Sequence, residues 1–455
     1  MHCNYRRFTI GKLLEDICSF AVREAENRGA EYTEVYMARN KESEVFIENN
    51  DLKQSKFHKS SGLGIRVFVR GSVGFSSVNI LEKEHIKNAI IQAIKLARVT
   101  PTDKFNSMPD KTEIKFLKGI YDRKAEFFNS SDATKMASDM LVAAKSFDDR
   151  VSVDSGNFTN SVMTHALLNS NGIRADETIS SFSWSIMGMA INGEEISNFD
   201  FQFGATHHVK NIDVLSTGRE FAETVVNSLG ARKIDSFKGK MLLTPSAASE
   251  LIQDVISSSI NSHVVQKGAS KFEGKIGKSV SSDLLTLEDD AVNINGLGSS
   301  SFDREGVPHR RNIIIENGIL RKFIYNTYTA NKENTESTGN AGGSPKTPPM
   351  VSTTNIVIKS GKSKLENLTS EMDKGIMVNR FSGNVNPVNG DFSGVVKGGQ
   401  YIKNGNVEYA VKEVMVAGNV FDALYDLTGI SKERKLLADA ILPYLLFENM
   451  SFTAG

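Results

Sequence analysis

The hydrophobic and polar positions of the first 100 residues predict a helix, several strands and a second helix. A helix is predicted within residues 8–28, and Gly29 ends its apolar repeat. Residues 32–39, 43–49 and 62–78 alternate between polar and apolar side chains, as strands do. A second amphipathic helix is marked by Ile86, Ala89, Ile90, Ala93, Ile94 and Ala97. This order predicts a two-layer α/β N-terminal domain spanning residues 1–100.

A central α/β domain with hairpins is predicted for residues 111–235. The stretch before it, residues 100–112, contains two prolines and little apolar pattern, which is typical of a linker. Helices are predicted near residues 133–147 and 213–230. Between them, Asn-Gly pairs at 171–172 and 192–193 predict hairpins, because a type I′ turn needs positive φ at both central residues.

The third region, residues 236–455, is predicted to be mainly antiparallel sheet with a few helices. It opens with the short strand "KGKMLLTP" and a helix that follows at once. Further hairpins are predicted within residues 310–326 and 400–419, each built around an Asn-Gly pair. The fold class expected for the whole chain is therefore α+β, with an α/β N-terminal unit and a β-rich C-terminal domain.

Composition excludes several classes of function and location. Lysine plus arginine equals aspartate plus glutamate, 54 against 54, so no overall field attracts nucleic acid or an anionic membrane. The two cysteines, Cys3 and Cys18, argue against a disulfide framework, and Cys18 is expected to be a buried thiol within a helix. No segment approaches the roughly 20 apolar residues needed to span a bilayer. A cytoplasmic protein is the expectation.

The helix after "KGKMLLTP" carries the polar residues that are the first candidates for a metal site. Within "SELIQD", Glu250 and Asp254 are four residues apart and share one helical face. Two carboxylates could bind a hard cation, but calcium needs six to eight oxygens, and a solvated acidic face near a helix start is the simpler interpretation. The sequence supports a zinc site even less, because no two of the eight histidines have the spacing of a zinc site on one helix.

Other catalytic patterns are absent from the sequence. There is no phosphate-binding loop, no dinucleotide fingerprint opening a helix and no nucleophile elbow in a strand–turn–helix context. The glycines of "GLGIRVFVRG" lie inside a strand pattern, where packing or a bulge explains them better. "STGNAGG" (337–343) could present backbone N–H groups to an anion or a carbonyl, but a turn between strands is the simpler interpretation.

Two long stretches of the third region resemble the signature sequences of the TldD/PmbA family, once called modulators of DNA gyrase. They are "SFDREGVPHRRNIIIENGILRKFIYNTYTANKENTESTGNAGG" (301–343) and "GDFSGVVKGGQYIKNGNVEYAVKEVMVAGN" (390–419). The closing "SFTAG" is also similar to the family, and the resemblance extends over nearly the whole chain. The family has two kinds of subunit, which work as a pair.

The resemblance implies where a metal site would stand. In the catalytic kind, TldD, a strand leads into a helix carrying H-E-x-x-x-H, whose histidines bind zinc together with a C-terminal cysteine. Here Ser249 and Asp254 stand where the histidines would be, and Glu250 stands where the general base would be. No cysteine follows Cys18. The chain thus resembles the other subunit, PmbA or TldE, which lacks the zinc motif, and no catalytic, cofactor or metal residue is expected in it.

The function implied is that of a non-catalytic subunit of a cytosolic zinc metallopeptidase. Zinc is expected in a TldD-like partner, and the substrates are expected to be unfolded or small peptides. Strand edges of the C-terminal domain could hold an extended peptide. The partner- or substrate-facing loops are predicted at 302–306 and 337–343, with the candidate contacts Phe302, Asp303, Gly306, Thr338, Gly339 and Asn340.

Two alternatives stay open at this point. The chain could be an independent hydrolase whose metal is held by Glu250, Asp254 and His263. It could also be a homodimeric peptide-binding module with no peptidase partner. Neither nucleic acid nor a membrane is expected among its partners.

Overall fold

A computed structural model of the chain describes the backbone of residues 12–455 and the side chains of residues 15–455. Cys3 therefore lies outside the described residues. The α+β fold expected from the sequence is confirmed, with an α/β N-terminal half and a β-rich C-terminal half. Within the described part of the chain, no helix combines the length and the apolar character needed to cross a membrane.

The N-terminal half is one antiparallel sheet of seven strands with helices on one face. Its strands are β1 (Tyr32–Glu48), β2 (Asp51–Val69), β3 (Ser72–Val78), β4 (Val151–Asn169), β5 (Arg174–Asn192), β6 (Glu195–Ile196) and β7 (Asp200–Thr206). Its helices are α1 (Lys12–Asn27), α2 (Lys83–Val99), α3 (Ser130–Lys145) and α4 (Val214–Asn227), with 3₁₀ turns at Arg123–Phe127 and Val209–Asn211. The strand order is β3-β2-β1-β4-β5, and both β6 and β7 pair with β5.

Two separate cores lie along this sheet, one for each pair of helices. Helices α1 and α2 cover one end, where Cys18, Val35 and Ile65 are among the buried residues, and the expected burial of the Cys18 thiol is confirmed. Helices α3 and α4 cover the other end, over Phe158, Trp184 and their neighbours. The sheet itself is continuous, so the strands of the predicted domains 1–100 and 111–235 pair with each other through β1 and β4.

The strands predicted at 32–39 and 43–49 are in fact one strand, and that prediction was wrong. β1 runs unbroken for 17 residues, because the polar stretch between them faces solvent without leaving the ladder. The hairpin that follows turns at Asn49 and Asn50, both at positive φ. All six apolar residues predicted to bury α2 are buried.

The C-terminal half is built on a 13-stranded mixed sheet. Its first strands are β8 (Phe237–Leu243), β9 (Leu287–Asp290), β10 (Arg311–Glu316), β11 (Ile319–Leu320) and β14 (Ile356–Ile358). A separate two-stranded sheet is formed by β12 (Ala341–Gly342) and β13 (Met350–Val351). The remaining strands are β15 (Lys374–Val378), β16 (Arg380–Val385), β17 (Asp391–Lys397), β18 (Gln400–Lys403), β19 (Asn406–Ala410), β20 (Val414–Asn419), β21 (Leu427–Leu437) and β22 (Ala440–Ala454).

The helices of this half are short. They are α5 (Pro245–Ala248), a π-helical turn (Ser249–Gln253), α6 (Asp254–Ile260), α7 (Ser262–Val265), α8 (Thr327–Lys332), α9 (Leu365–Ser370) and α10 (Val420–Tyr425). The central part of the sheet has the order β9-β14-β22-β8-β15-β18, and β8 pairs parallel with β15. The α5–α6 helix packs on this sheet within the largest core of the molecule.

Candidate functional site

The helix that carries Ser249, Glu250 and Asp254, called the motif helix below, begins directly where β8 ends. β8 leads into Thr244, whose hydroxyl accepts a hydrogen bond from the Ala247 N–H at 3.3 Å. Pro245 occupies the first helical position, where its missing N–H costs nothing. Thr244 also donates to the Asn379 carbonyl at 2.6 Å, which ties the helix start to the end of β15. The strand-then-helix arrangement predicted from "KGKMLLTP" is therefore present.

Residues Ser249–Gln253 form a π-helical turn between two α-helical segments. The buried positions explain it, because they repeat every four residues: Ala247, Ala248, Leu251, Ile252, Val255, Ile256, Ser259 and Ile260. On a regular α-helix a four-residue repeat drifts about 40° per step away from the core. One wider turn removes part of that drift and keeps the stripe on the sheet. The turn also brings Ser249 and Asp254, five residues apart, to one side of the helix.

Both carboxylate oxygens of Glu250 are occupied by donors from a neighbouring strand. The Arg380 Nε donates to Oε1 at 2.9 Å, and the backbone N–H of Phe381 donates to Oε2 at 2.6 Å. The two side chains of the ion pair are 22% and 29% exposed, so water screens them only in part. Glu250 is therefore held as an ion-pair and hydrogen-bond acceptor that joins the helix to the start of β16.

The parallel pairing of β8 with β15 brings these donors to Glu250. The helix starts after the carboxyl end of β8, and β16 starts after the carboxyl end of β15 at the same edge. Arg380 and Phe381 are the first two residues of β16 and so lie beside the first turns of the helix. The Arg380 guanidinium also lies 5.4 Å from the ring of Phe201 on β7, so the N-terminal sheet reaches this site as well.

Ser249 and Gln253 form a second link from the π turn. The Ser249 hydroxyl donates to the Gln253 side-chain carbonyl at 2.6 Å, and the Gln253 amide donates to Asp439 at 3.0 Å. Asp439 directly precedes β22, so this chain of hydrogen bonds fastens the helix to the central strand of the sheet. The Ser249 hydroxyl is thus engaged within its own turn.

These residues do not fit a zinc ion. A zinc site uses three or four ligands drawn from cysteine, histidine and carboxylate side chains. Here the possible donors are a hydroxyl, a carboxylate paired with Arg380, and the exposed carboxylate of Asp254. His263, the third ligand of the alternative site, is exposed on α7. Among residues 15–455, no three His, Cys, Asp or Glu side chains come close enough to share a metal.

The two predicted contact loops lie next to each other, and their candidate residues are buried. The buried residues are Phe302, Asp303, Gly306, Thr338, Gly339 and Asn340. Asp303 accepts the N–H of Ala341 at 3.0 Å, which joins one loop to the other. Asn340 donates to Asp289 at 2.6 Å. Contact with a partner or a peptide stays a prediction for these residues, and their bonds in this structure are within the chain.

A buried ionic cluster joins the first loop to the N-terminal sheet. Arg66 of β2 pairs with Glu34 of β1 at 2.5 Å and with Glu305 at 2.8 Å. Arg304 pairs with Glu34 at 2.9 Å, and its guanidinium lies 4.1 Å from the ring of Tyr36. Both glutamates are fully buried. Removing one partner would leave an uncompensated buried charge, so this cluster fixes how the two halves of the chain meet.

Titratable groups with shifted pKa values lie beside this cluster. Burial raises the pKa of Glu177 to about 7, although the hydroxyl and the N–H of Ser301 both donate to its carboxylate. Burial and the neighbouring Glu305 raise the pKa of Asp303. Burial lowers the pKa of His165 to about 4, and that of His309 to about 4. At neutral pH both histidines are therefore neutral, and Glu177 is close to its titration point.

The residues that bond Glu250 were not predicted from the sequence. Arg380 and Phe381 lie about 130 residues after Glu250, and "VNRFSG" contains no pattern that would single them out. The buried cluster had a signal that could have been used. Glu34 stands among residues predicted to form a strand, and a charged side chain in such a run is either exposed or paired.

Comparison with known proteins gives consistent matches along the chain. Residues 33–97 match the model for PmbA/TldA metallopeptidase domain 1, residues 124–229 the model for the central domain, and residues 236–454 the model for the C-terminal domain. These three ranges together cover most of the sequence.

Individual relatives include members with both subunit names. The chain is 28% identical to a metalloprotease PmbA homolog of Buchnera aphidicola, with 88% of each chain covered. It is 25% identical to a metalloprotease TldD homolog of the same organism, with 93% of this chain and 88% of the relative covered. The crystal structure of TldE from Thermococcus kodakarensis has the same fold, with a TM-score of 0.90, 24% identity, and 96% of this chain and 100% of that chain covered.

The similar identities to PmbA and TldD relatives do not separate the two kinds of subunit, whereas the three matching domain models agree on the family. The chain belongs to the PmbA/TldD family of metallopeptidase-like proteins.

Proposed function

We propose that this chain is the non-catalytic, PmbA/TldE-like subunit of a zinc metallopeptidase, and that a TldD-like partner supplies the zinc. The observation that carries the proposal is the donor set at the motif positions: a hydroxyl at Ser249, a carboxylate at Glu250 that is paired with Arg380, and the exposed carboxylate of Asp254. A catalytic zinc needs three ligands drawn from histidine, cysteine and carboxylate side chains, and these residues do not supply them. In the paired enzyme this chain would form part of the wall around unfolded or small peptides in the cytosol.

The open edge of β16 supports a role in holding an extended peptide. Among the described strands β16 pairs only with β17, and its residues 382–384 are exposed. The Phe381 N–H points away from β17 toward Glu250, so the backbone groups of Gly383 and Val385 face the same open side by the two-residue period. An extended peptide could add along this edge, beginning beside the motif helix.

The first test is the metal content of the chain, purified without its partner and without a histidine tag. We expect far less than one zinc, manganese or iron per chain by elemental analysis, because the motif positions lack the ligands. A firmly bound metal at about one per chain would contradict the proposal and favour an independent hydrolase.

The second test restores the ligands. Ser249→His with Asp254→His places two histidines across the π turn, and we expect this variant to gain zinc binding, measured by calorimetry. The matched control is Lys87→His with Gln92→His on α2, a regular helix where residues five apart point about 140° apart. Zinc binding equal to that of the control would show that these positions do not correspond to the metal site.

The third test is reconstitution with a zinc-bearing TldD-like subunit. We expect peptide cleavage from the mixture, loss of cleavage on chelation, and none from this chain alone. Cleavage by this chain alone that a chelator abolishes would contradict the proposal. A homodimer that binds peptides and does not associate with the zinc-bearing subunit would favour the peptide-binding module instead.

A further inference from the structure

The first half of β2 leaves one edge of the N-terminal sheet open. Residues 63–69 of β2 pair with β3, but residues 54–61 pair only with β1. In the part of the chain that the structure describes, no strand covers their other side. Residues 53–60 are all exposed. A strand edge of this length presents unpaired backbone N–H and C=O groups that an extended chain can bond.

The open edge carries a cross-strand pair of like charges. Lys59 on the edge lies directly opposite Lys41 of β1, an arrangement that destabilises an antiparallel pair. Arg39, two residues before Lys41, points to the same face of the sheet. None of the three forms an ion pair with a carboxylate among residues 15–455. On the other face of this edge, Lys56 and His58 lie directly opposite Glu44 and Glu42, so the excess of positive charge is on the face of Lys59.

Protection against aggregation does not account for this arrangement. Lysines on an edge strand commonly prevent edge-to-edge pairing, and Lys56 and Lys59 fit that role. Lys41 does not, because β1 is paired on both sides, with β2 and with β4. A second copy of the chain is also a poor occupant. Antiparallel pairing of two identical edges would place the lysines of one copy among those of the other.

We propose that residues 54–61 of β2 form a docking edge for an extended acidic segment of another protein, which adds to the sheet as a further strand. Carboxylates at alternate positions of that segment would contact Lys59 and Lys41, and its backbone would bond the edge. Phe57, which is 58% exposed and lies on the same face as Lys59, offers an apolar contact to the methylene groups of these carboxylate side chains. This edge belongs to the N-terminal sheet and is separate from the motif helix, so the proposal goes beyond the peptidase role.

The test uses a labelled ten-residue peptide that alternates Glu and Thr, with binding to the full chain measured by fluorescence anisotropy. We expect saturable binding that weakens with added salt. Lys59→Glu should weaken binding about tenfold, because it removes an attractive charge and adds a repulsive one. This variant should fold, since the introduced carboxylate would face Lys41 across the strands as an opposite-charge pair.

Two controls separate strand addition from general charge attraction. Lys95→Glu, on an exposed position of α2, makes the same change in net charge and should leave binding unchanged. The acidic peptide with alternate backbone amides methylated keeps its charge but cannot pair as a strand, and it should not bind. Absence of binding by the unmodified peptide, equal binding by the methylated one, or a homodimer that Lys59→Glu disrupts would overturn the proposal.

Discussion

At the residue scale, polar side chains of the motif helix bond the neighbouring strands. A glutamate can act as a general base, but the Glu250 carboxylate is bonded to the Arg380 guanidinium and to the Phe381 N–H of the same strand. Its interactions are those of a residue that fastens a helix to a sheet. The Ser249–Gln253–Asp439 chain fastens the same turn on its other side.

This interpretation predicts a measurable cost for Glu250→Gln. The substitution removes the ion pair with Arg380 but keeps an acceptor for the Phe381 N–H. Because the pair is partly exposed, we expect the free energy of unfolding to fall by about 1 kcal/mol in urea titrations. A double-mutant cycle with Arg380→Gln isolates the pair.

The matched control is Asp139→Asn, which breaks the more exposed Lys135–Asp139 pair on α3 and should cost about 0.3 kcal/mol. Equal costs at both sites would show that Glu250 is not a fastening residue.

At the element scale, turns decide the registers of the C-terminal hairpins. The β10–β11 hairpin turns at Asn317 and Gly318, both at positive φ, as the Asn-Gly rule requires. Gly318 is also tightly enclosed, because a Cβ there would lie 2.7 Å from the Ser281 carbonyl oxygen. The β5–β6 hairpin also contains an Asn-Gly pair, but there Gly193 is at positive φ while Asn192 still pairs within β5, and a Cβ on Gly193 would meet nothing within 4 Å.

The two turns form a matched pair for one prediction. Gly193→Ala should cost about 1 kcal/mol of unfolding free energy, from backbone strain alone. Gly318→Ala should cost about 1–3 kcal/mol more, because the added carbon also overlaps backbone atoms. Both values come from denaturant unfolding, and a smaller cost at Gly318 would contradict the enclosure described.

Local patterns predicted these elements well, because their causes lie within a few residues. The Asn-Gly turns at 171–172, 317–318 and 404–405 all connect paired strands, and the six apolar positions of α2 are buried. The unbroken β1 was missed, because its polar middle is supported by pairing with β4, more than 100 residues away. Arg380 was missed for the same reason, since only the parallel pairing of β8 with β15 brings it to Glu250.

At the scale of the whole molecule, a buried polar contact joins the two halves. Arg66, Glu34 and Glu305 form its ionic centre, and Glu177 binds Ser301 beside it. Such contacts need every charge to have a partner, so they are sensitive to protonation. The stability of the chain should therefore depend on pH in a way that individual residues of this contact control.

Glu177 gives the clearest case. Burial raises its pKa from 4.5 to about 7, so the folded chain holds this proton where the unfolded chain has released it. Its contribution to stability is present below pH 4.5 and is lost as pH rises to about 7. Glu177→Gln cannot titrate, so its stability relative to the wild type should rise by about 1 kcal/mol per pH unit within that window.

Urea unfolding at several pH values measures this difference. Glu194→Gln, on the exposed β5–β6 turn, controls for the loss of one negative charge. The histidines act in the opposite direction, because burial lowers the pKa of His165 to about 4 and its contribution is lost as pH falls. Because His165 Nε2 lies 3.9 Å from Glu177 Oε1, the comparison is made between pH 5 and pH 7, where His165 of the folded wild type is neutral. Parallel curves for Glu177→Gln and the wild type would contradict the assignment.

The continuous N-terminal sheet has a consequence for synthesis on the ribosome. β1 and β2 can form their hairpin early, but the other side of β1 pairs with β4, which is translated more than 100 residues later. At a translation rate of roughly 5–20 residues per second, the side of β1 that pairs with β4 stays unpaired for about 10 s. During that interval the nascent chain exposes a second open strand, so the speed of translation between α2 and β4 should influence how much protein reaches the folded state.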